Sequence, residues 1–334
     1  MLVLHQDGSG WGWLPMMPKA TVKLIVTGDD FGYCPRRNQG IVECFLAGAV
    51  SNVSLLVNGS AVSDAVQLAK RHRIPIGLHA NLSEGSPVCP ALKEKSSLLN
   101  ADGFLHGKMG IRAALAEGCL NLSEVKQELT AQVELFRELT GHLPFHMDGH
   151  QHVHVLPEIR HIFAQVLEEY GITYTRIPIE PDLPRCDWID PPLMAFYRSV
   201  EKDSLDTVDV FRKHHIRWPD IYIGLSTMGK NMSLVKILGA IDNAMAAYLA
   251  EEKPAVPGSS SLGYDPEVKT ITIELMTHPG YPSVPPVGGC GEGPDDFSQS
   301  WERLHELETL KNPELQRHYK ARNIELCAFQ HLEM

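Results

Sequence analysis

The sequence predicts an α/β fold: a single-domain, distorted (β/α) barrel of the TIM type, with its active site at the C-terminal ends of the strands. Three observations lead there. Short apolar, β-branched runs alternate with helix-like stretches along the whole chain, with no internal repeat and no obvious linker. The length, 334 residues, suits one large domain. Several strands, though not the one near 220–224, end in carboxylates or imidazoles, as residues gathered on one rim would. A doubly wound open sheet is the rival architecture, but no GxGxxG opens the first βα turn.

Residues 1–20, "MLVLHQDGSGWGWLPMMPKA", lack the basic start and the sustained apolar run of a signal peptide. They are expected to be a disordered leader ahead of a domain at 21–332. "VKLIVTG" (22–28) reads as the first strand, and "PRRNQGIVECFLAGAV" (35–50) as a helix opened by proline in its first turn. A strand at 51–58 and a helix at 60–72, capped by Ser60, come next, then "IPIGLHANL" (74–82), the third strand. Residues 83–121, rich in Gly, Ser and Pro, form a long excursion with one short helix near 108–117. "SEVKQELTAQVELFRELTG" (123–141) is a helix capped by Ser123 and stopped by Gly141. "FHMDGH" (145–150) is the fourth strand, 157–171 a helix between a proline and a glycine, and "ITYTRIP" (172–178) the fifth strand. Helices near 191–200 and 206–215, a short strand near 220–224 and a helix at 231–250 precede a loop at 251–264. "KTITIELMTHPGY" (269–281) is a strong strand; an irregular excursion (282–296), a helix (300–312) and a closing strand (323–329) complete the expected eight strands.

Composition narrows the function. With a net charge of −11, the chain has no electrostatic reason to hold a phosphate backbone, and no Lys/Arg block suggests nucleic acid or a membrane surface. No run of apolar residues is long enough to span a bilayer. A small, neutral molecule is the expected partner, and a homodimer stays open. The seven cysteines are odd in number and widely spaced without a CxxC, which suits reduced thiols in an intracellular, cytoplasmic protein.

The strand ends carry the chemistry. The first delivers Asp29 and Asp30, the third His79 and Asn81, and the fourth Asp148, His150, His152 and His154. The fifth delivers Arg176, and the strand at 269–281 delivers Glu274 and His278. Each has a bland reading. Asp29 and Asp30 could cap the helix at 35; if extended, they point apart, one toward a metal and one toward a water. His79 could be a satisfied core histidine. "HQHVH" could be an exposed polar tract; if extended, Asp148, His150, His152 and His154 share one face. His278, before Pro279-Gly280, could be a buried residue with a backbone partner, a general acid or an oxyanion donor.

These residues resemble the YdjC-like carbohydrate deacetylases, a family that includes bacterial chitooligosaccharide deacetylases and an animal branch. The resemblance rests on "VTGDDFGYCPRRNQGIVECFLAGAVSNVSLLVNG", "GLHANLSEG", "HMDGHQHVHVLPEI", "TRIP", "ELMTHPGYPS" and "WERLHELETL", in family order from residue 22 to about 330. "GYPSVPPVGGCGEGPDDFSQSWERLHEL" is similar to the animal branch in particular. The resemblance implies a distorted (β/α) barrel, a divalent metal held by Asp30, His79 and His150, Asp29 as catalytic base and His278 as a catalytic histidine. It implies magnesium, whereas two imidazoles and a carboxylate by themselves favour zinc. Gln151 departs from the pattern, standing where many bacterial members have a third adjacent histidine.

The implied activity is metal-dependent removal of N-acetyl groups from N-acetylglucosamine-containing oligosaccharides. Arg176 and Asn81 would orient substrate or supporting groups, and Asp148, His152 and His154 would fix the imidazoles or touch substrate. A metal phosphoesterase, a non-catalytic sugar-binding barrel and an inert scaffold are the alternatives.

Overall fold

The computed structural model describes residues 21–251 and 270–332. At its centre lies strand β1 (Thr21–Phe31), buried from Leu24 to its end, as a strand covered on both faces in a parallel sheet should be. After it come α1 (Pro35–Leu46), β2 (Asn52–Leu55), α2 (Val62–His72), β3 (Ile76–Ala80), α3 (Gly110–Ala116), α4 (Leu122–Thr140), β4 (Met147–Gly149) and α5 (Ile159–Tyr170). The second half holds α6 (Pro191–Leu205), α7 (Val208–Lys213), β5 (Ile221–Ile223), α8 (Leu234–Glu251), β6 (Thr270–Thr277), α9 (Asp296–Gln299), α10 (Glu302–Leu310), α11 (Pro313–Ala321) and β7 (Ile324–Cys327).

The ladders are parallel, in the order β4-β3-β2-β1-β6-β5. One edge of β1 pairs with β6 along Thr21–Gly28. The other edge is shared: β7 takes Val22–Ile25 and β2 takes Thr27–Phe31. That split edge is one distortion of the barrel. The second lies between β4 and β5, where the sequence predicts a strand at 172–178. There the chain makes one parallel bridge, Tyr174 to Arg217. Met147 N–H donates to Tyr174 O at 3.0 Å, and Thr175 N–H to Arg217 O at 3.0 Å. Pro178 has no N–H with which to continue a ladder. Seven strands are therefore found among the described residues instead of eight, and the fold is an incomplete, distorted (β/α) barrel.

Several local expectations change. Ser60 does not cap α2; its hydroxyl donates to Tyr33 O, and the capping position falls to Ala61. Asn121, not Ser123, caps α4, accepting from Ser123 N–H. Gly141 stops α4 as expected, with φ +85°. Helix α11 was not expected, although Asn312 and Pro313 carry ordinary start signals. The leader at 1–20 lies outside the described residues, as does the loop at 251–264 beyond Glu251, the last residue of α8.

Strand periodicity decides what reaches the barrel axis. Val22, Leu24 and Val26 of β1 and Ile271, Ile273 and Leu275 of β6 pack outward into the main apolar core. Between them Ile25 faces inward, onto Tyr174, Cys327 and Phe329. Above it, Thr27 donates to Glu274 Oε1 at 2.9 Å. On β3, Gly77 gives up its side chain to make room: a Cβ there would sit 2.0 Å from the ring of His146, which stacks on Phe329 at 4.2 Å. The barrel interior is thus polar from its middle upward. Among the described residues no helix is long and apolar enough to cross a membrane.

Candidate active site

At the top of β1 the register against β2 shifts between Gly28 and Phe31, and Asp30 adopts a left-handed φ of +63°. A bulge of this kind re-aims a side chain that regular alternation would turn away. The expectation that Asp29 and Asp30 point apart is therefore corrected: both line one cavity of about 270 Å³. Nor do they cap α1, since Cys34 Sγ accepts from Arg37 N–H there.

Asp30 Oδ1 stands 3.2 Å from His150 Nδ1 and 3.6 Å from His79 Nε2. It is buried with no hydrogen-bond partner among the described residues. Its other oxygen accepts from Arg37 Nη1 at 3.1 Å. Behind each ring lies a carboxylate. Asp148 Oδ1 is 2.5 Å from His79 Nδ1 and also accepts from Ser54 Oγ at 2.7 Å. Glu84 Oε2 is 2.9 Å from His150 Nε2 and Glu84 Oε1 accepts from Tyr33 Oη at 2.7 Å. Each of these bonds holds a ring proton on the far nitrogen, so that in the neutral ring the nitrogen facing Asp30 is the one with the lone pair.

The three residues fit a metal ion. The two distances from Asp30 Oδ1, 3.2 and 3.6 Å, stand close to the roughly 3.3 Å separation of ligands about 2.0–2.1 Å from one zinc ion. The field agrees. Burial opposes ionisation of Asp30, but His150 and Arg37 outweigh it and hold the carboxyl well below the usual range. Burial opposes a proton on His150 too, yet Asp30 and Glu84 push its pKa up to about 10. A cation bound there would displace that proton, since a ligating imidazole must be neutral. A second trio, Asp29, His79 and Asp148, is a poorer cage because Arg176 occupies both carboxylates.

Arg176 is fully buried, though no regular strand carries it. It hydrogen-bonds Asp29 at 2.6 and 2.9 Å and Glu274 at 2.8 Å, and forms an ion pair with Asp148 at 2.8 Å. His278 reaches within 3.9 Å of Asp29 Oδ2 through Nε2. Its backbone is clamped by α10: its N–H donates to Glu306 Oε2 at 2.5 Å, and its carbonyl accepts from Arg303 Nη1 at 3.2 Å. Burial first, then Arg303 and Arg37, depress its proton affinity well below the ordinary imidazole value despite the opposing pull of Asp30.

The "HQHVH" run is not extended. Residues His150–Val155 form a tight helical turn, with Gln151 and His152 at positive φ, so the expected shared face with Asp148 does not exist. His150 reaches Asp30, and His152 lines the cavity. His154 turns away: its Nε2 bonds Arg176 O at 3.1 Å, and burial brings its pKa down to about 3. Asn81 is fully buried and orders the following loop, accepting from Ser83 and Glu84 N–H. Glu84 escaped the sequence reading. Its signal lay in "NLSE", where an Asn side chain accepting from the backbone two and three residues on makes a turn. Arg37 escaped as well.

The chain is thus a distorted α/β barrel whose C-terminal rim buries two histidines and a carboxylate that could hold a metal ion. The chain belongs to the YdjC-like protein family, whose model matches residues 23–321. It is 60% identical over 312 residues to a carbohydrate deacetylase of Xenopus laevis, covering 93% of this chain and 98% of that one. It is 51% identical over 317 residues to a carbohydrate deacetylase of Homo sapiens, covering 95% and 93%. The fold is similar, with a TM-score of 0.67 and 22% identity, to a crystal structure of an Enterococcus faecalis protein proposed to cleave cellobiose phosphate, covering 94% of this chain and 99% of that one.

Proposed function

We propose that this protein is a metal-dependent carbohydrate deacetylase, hydrolysing the N-acetyl groups of N-acetylglucosamine-containing oligosaccharides. The observation that carries the reading is the convergence of Asp30, His79 and His150, each backed by its own partner, beside the paired carboxylate of Asp29. The names of its relatives supply the substrate class.

A divalent ion held by those three residues would polarise the acetyl carbonyl and acidify a water. Asp29 takes the proton from the attacking water as the water oxygen bonds the acyl carbon. Arg176 holds Asp29 in place for this role. His278, kept neutral by burial and neighbouring arginines, donates a hydrogen bond to the oxygen that gains negative charge. The proton on Asp29 then passes to the leaving nitrogen as the C–N bond breaks, giving acetate and a free amine. The donor set suits zinc better than magnesium, whose sites are richer in oxygen. All seven cysteines are free, in keeping with an intracellular setting.

The test joins metal analysis to acetate release from N-acetylglucosamine oligomers. Asp29→Asn is expected to keep its metal and lose activity by at least about a hundredfold, on the order of general-base effects. His79→Ala and His150→Ala are expected to lose the metal with the fold intact. An active Asp29→Asn, or unchanged metal in both histidine variants, overturns the reading.

A further inference from the structure

Lys108 belongs to the excursion between β3 and α3, which the mechanism leaves unused. Its ammonium lies 3.7 Å from the centre of the Phe196 ring, and the residue lines the same cavity as Asp30 and His278. Among the described residues it makes no ion pair: Asp295 acts on it through space, and Arg112, 5.0 Å from the same ring, is a like charge. Burial and Arg112 bring its pKa down to about 8. An ammonium carries three donors and no acceptor. With an aromatic face on one side and no carboxylate of the described residues within ion-pair distance, its remaining donors are available to oxygen atoms of a ligand.

Asp295 and Glu302 line the same cavity as Lys108. Among the described residues no other lysine or arginine lines this cavity. An anionic substituent lodged here would meet two carboxylates for one ammonium. A hydroxyl suits both, accepting from Lys108 and donating to Asp295. The cavity, about 270 Å³, is at the small end of ligand pockets, which run from roughly 300 Å³ upward, so a bound ring is in reach of all its walls.

We propose that Lys108 is a substrate-binding and specificity-determining residue: it donates hydrogen bonds to the hydroxyls of a neutral sugar ring opposite Asp295 and thereby favours uncharged over acidic sugars. This rests on the deacetylase reading, and the experiment separates the two. Lys108→Met keeps the stem and removes the donors. For neutral N-acetylglucosamine oligomers KM is expected to rise about ten- to a hundredfold, as for a lost hydrogen bond to a charged group, with kcat within about twofold and metal content unchanged. Phe196→Leu, which removes the ring beneath the ammonium, is expected to raise KM in the same direction by less. For an N-acetylated sugar carrying a carboxylate, the wild type is expected to show the weaker kcat/KM. Unchanged KM in Lys108→Met overturns the proposal. So does a variant that loses only the acidic substrate. If the wild type releases no acetate at all, the deacetylase reading fails, and calorimetric titration with N-acetylglucosamine oligomers still decides Lys108: weaker binding by Lys108→Met supports it. Equal binding, or none to either protein, overturns it.

Discussion

Arg176 grips Asp29 with two parallel hydrogen bonds, Nη1 to Oδ2 at 2.6 Å and Nη2 to Oδ1 at 2.9 Å. The same guanidinium reaches Asp148 and Glu274, so one buried cation serves three buried carboxylates. A lysine is a point charge on a flexible stem and cannot reproduce the planar fork. Arg176→Lys is expected to lower kcat by at least about tenfold with little change in KM, since the loss falls on the orientation of Asp29. Arg176→Met leaves the carboxylates unpaired and is expected to lower stability by about 3–5 kcal/mol. Steady-state kinetics and urea denaturation check the two.

Glu274 is the carboxylate that this arrangement serves least. Burial, reinforced by Asp148 and Asp29 and only partly offset by Arg176, pushes its pKa up from 4.5 to about 7. A raised carboxyl pKa means that the folded state binds the proton more tightly than the unfolded one. The stability it confers is complete below pH 4.5, the ordinary value, and is lost as pH climbs through about 7. Glu274→Gln retains an acceptor for Thr27 and Arg176 and removes the surplus charge. The variant is expected to equal or exceed the wild type in urea midpoint at about pH 8 and to lose part of the decline between about pH 5 and 8. A wild-type decline that the Glu274→Gln substitution leaves fully in place would count against this account.

Glu84 governs the ring of His150 without reaching the metal position itself. Glu84→Ala frees that ring and takes the acceptor from the Tyr33 hydroxyl proton, while the Tyr33 oxygen still accepts from Asp295 N–H at 2.9 Å. Metal affinity is expected to fall about 10–100-fold, the usual cost of removing a carboxylate behind a ligating histidine. Glu84→Gln, which still accepts a hydrogen bond, is expected to lose less. Competition with a chelator measures both; affinity unchanged in Glu84→Ala would sink the assignment.

What the sequence showed and what it hid follow from the same physics. Strand ends made His79, Asp148 and His278 legible as neighbours on one rim, because β3, β4 and β6 belong to one parallel sheet; alternation within a strand was the weaker guide. It failed at Asp30, where a bulge overrides alternation, and at His152 and His154, where a tight turn replaces the strand. The fifth segment does deliver Arg176 to the site, as its sequence position implied, but it makes a single bridge instead of a ladder. Glu84 and Arg37 sit on a loop and a helix, and only tertiary packing brings them to the strand ends.

Gly40 and Gly48 separate packing at the site from backbone strain away from it. A Cβ on Gly40 would stand 2.5 Å from Gly280 Cα and 2.7 Å from Leu307 Cδ1. Gly280 belongs to the turn that presents His278, and its N–H donates to Arg303 O at 3.1 Å. Helix α1 therefore lies against this turn with no room for a methyl group, and the backbone contact leaves little to yield. Gly40→Ala is expected to cost about 1–3 kcal/mol by overpacking. It is also expected to lower kcat, because a displacement on the order of 1 Å near reacting groups can cost about a hundredfold. Gly48 has φ +67°, and a methyl group added there would meet nothing within 4 Å. Gly48→Ala is expected to lose about 1–2 kcal/mol through the left-handed backbone alone and to leave kcat at the wild-type value. Denaturation midpoints and kcat, measured together on the pair, distinguish the two effects. Equal kcat in both variants would mean that α1 does not position the turn.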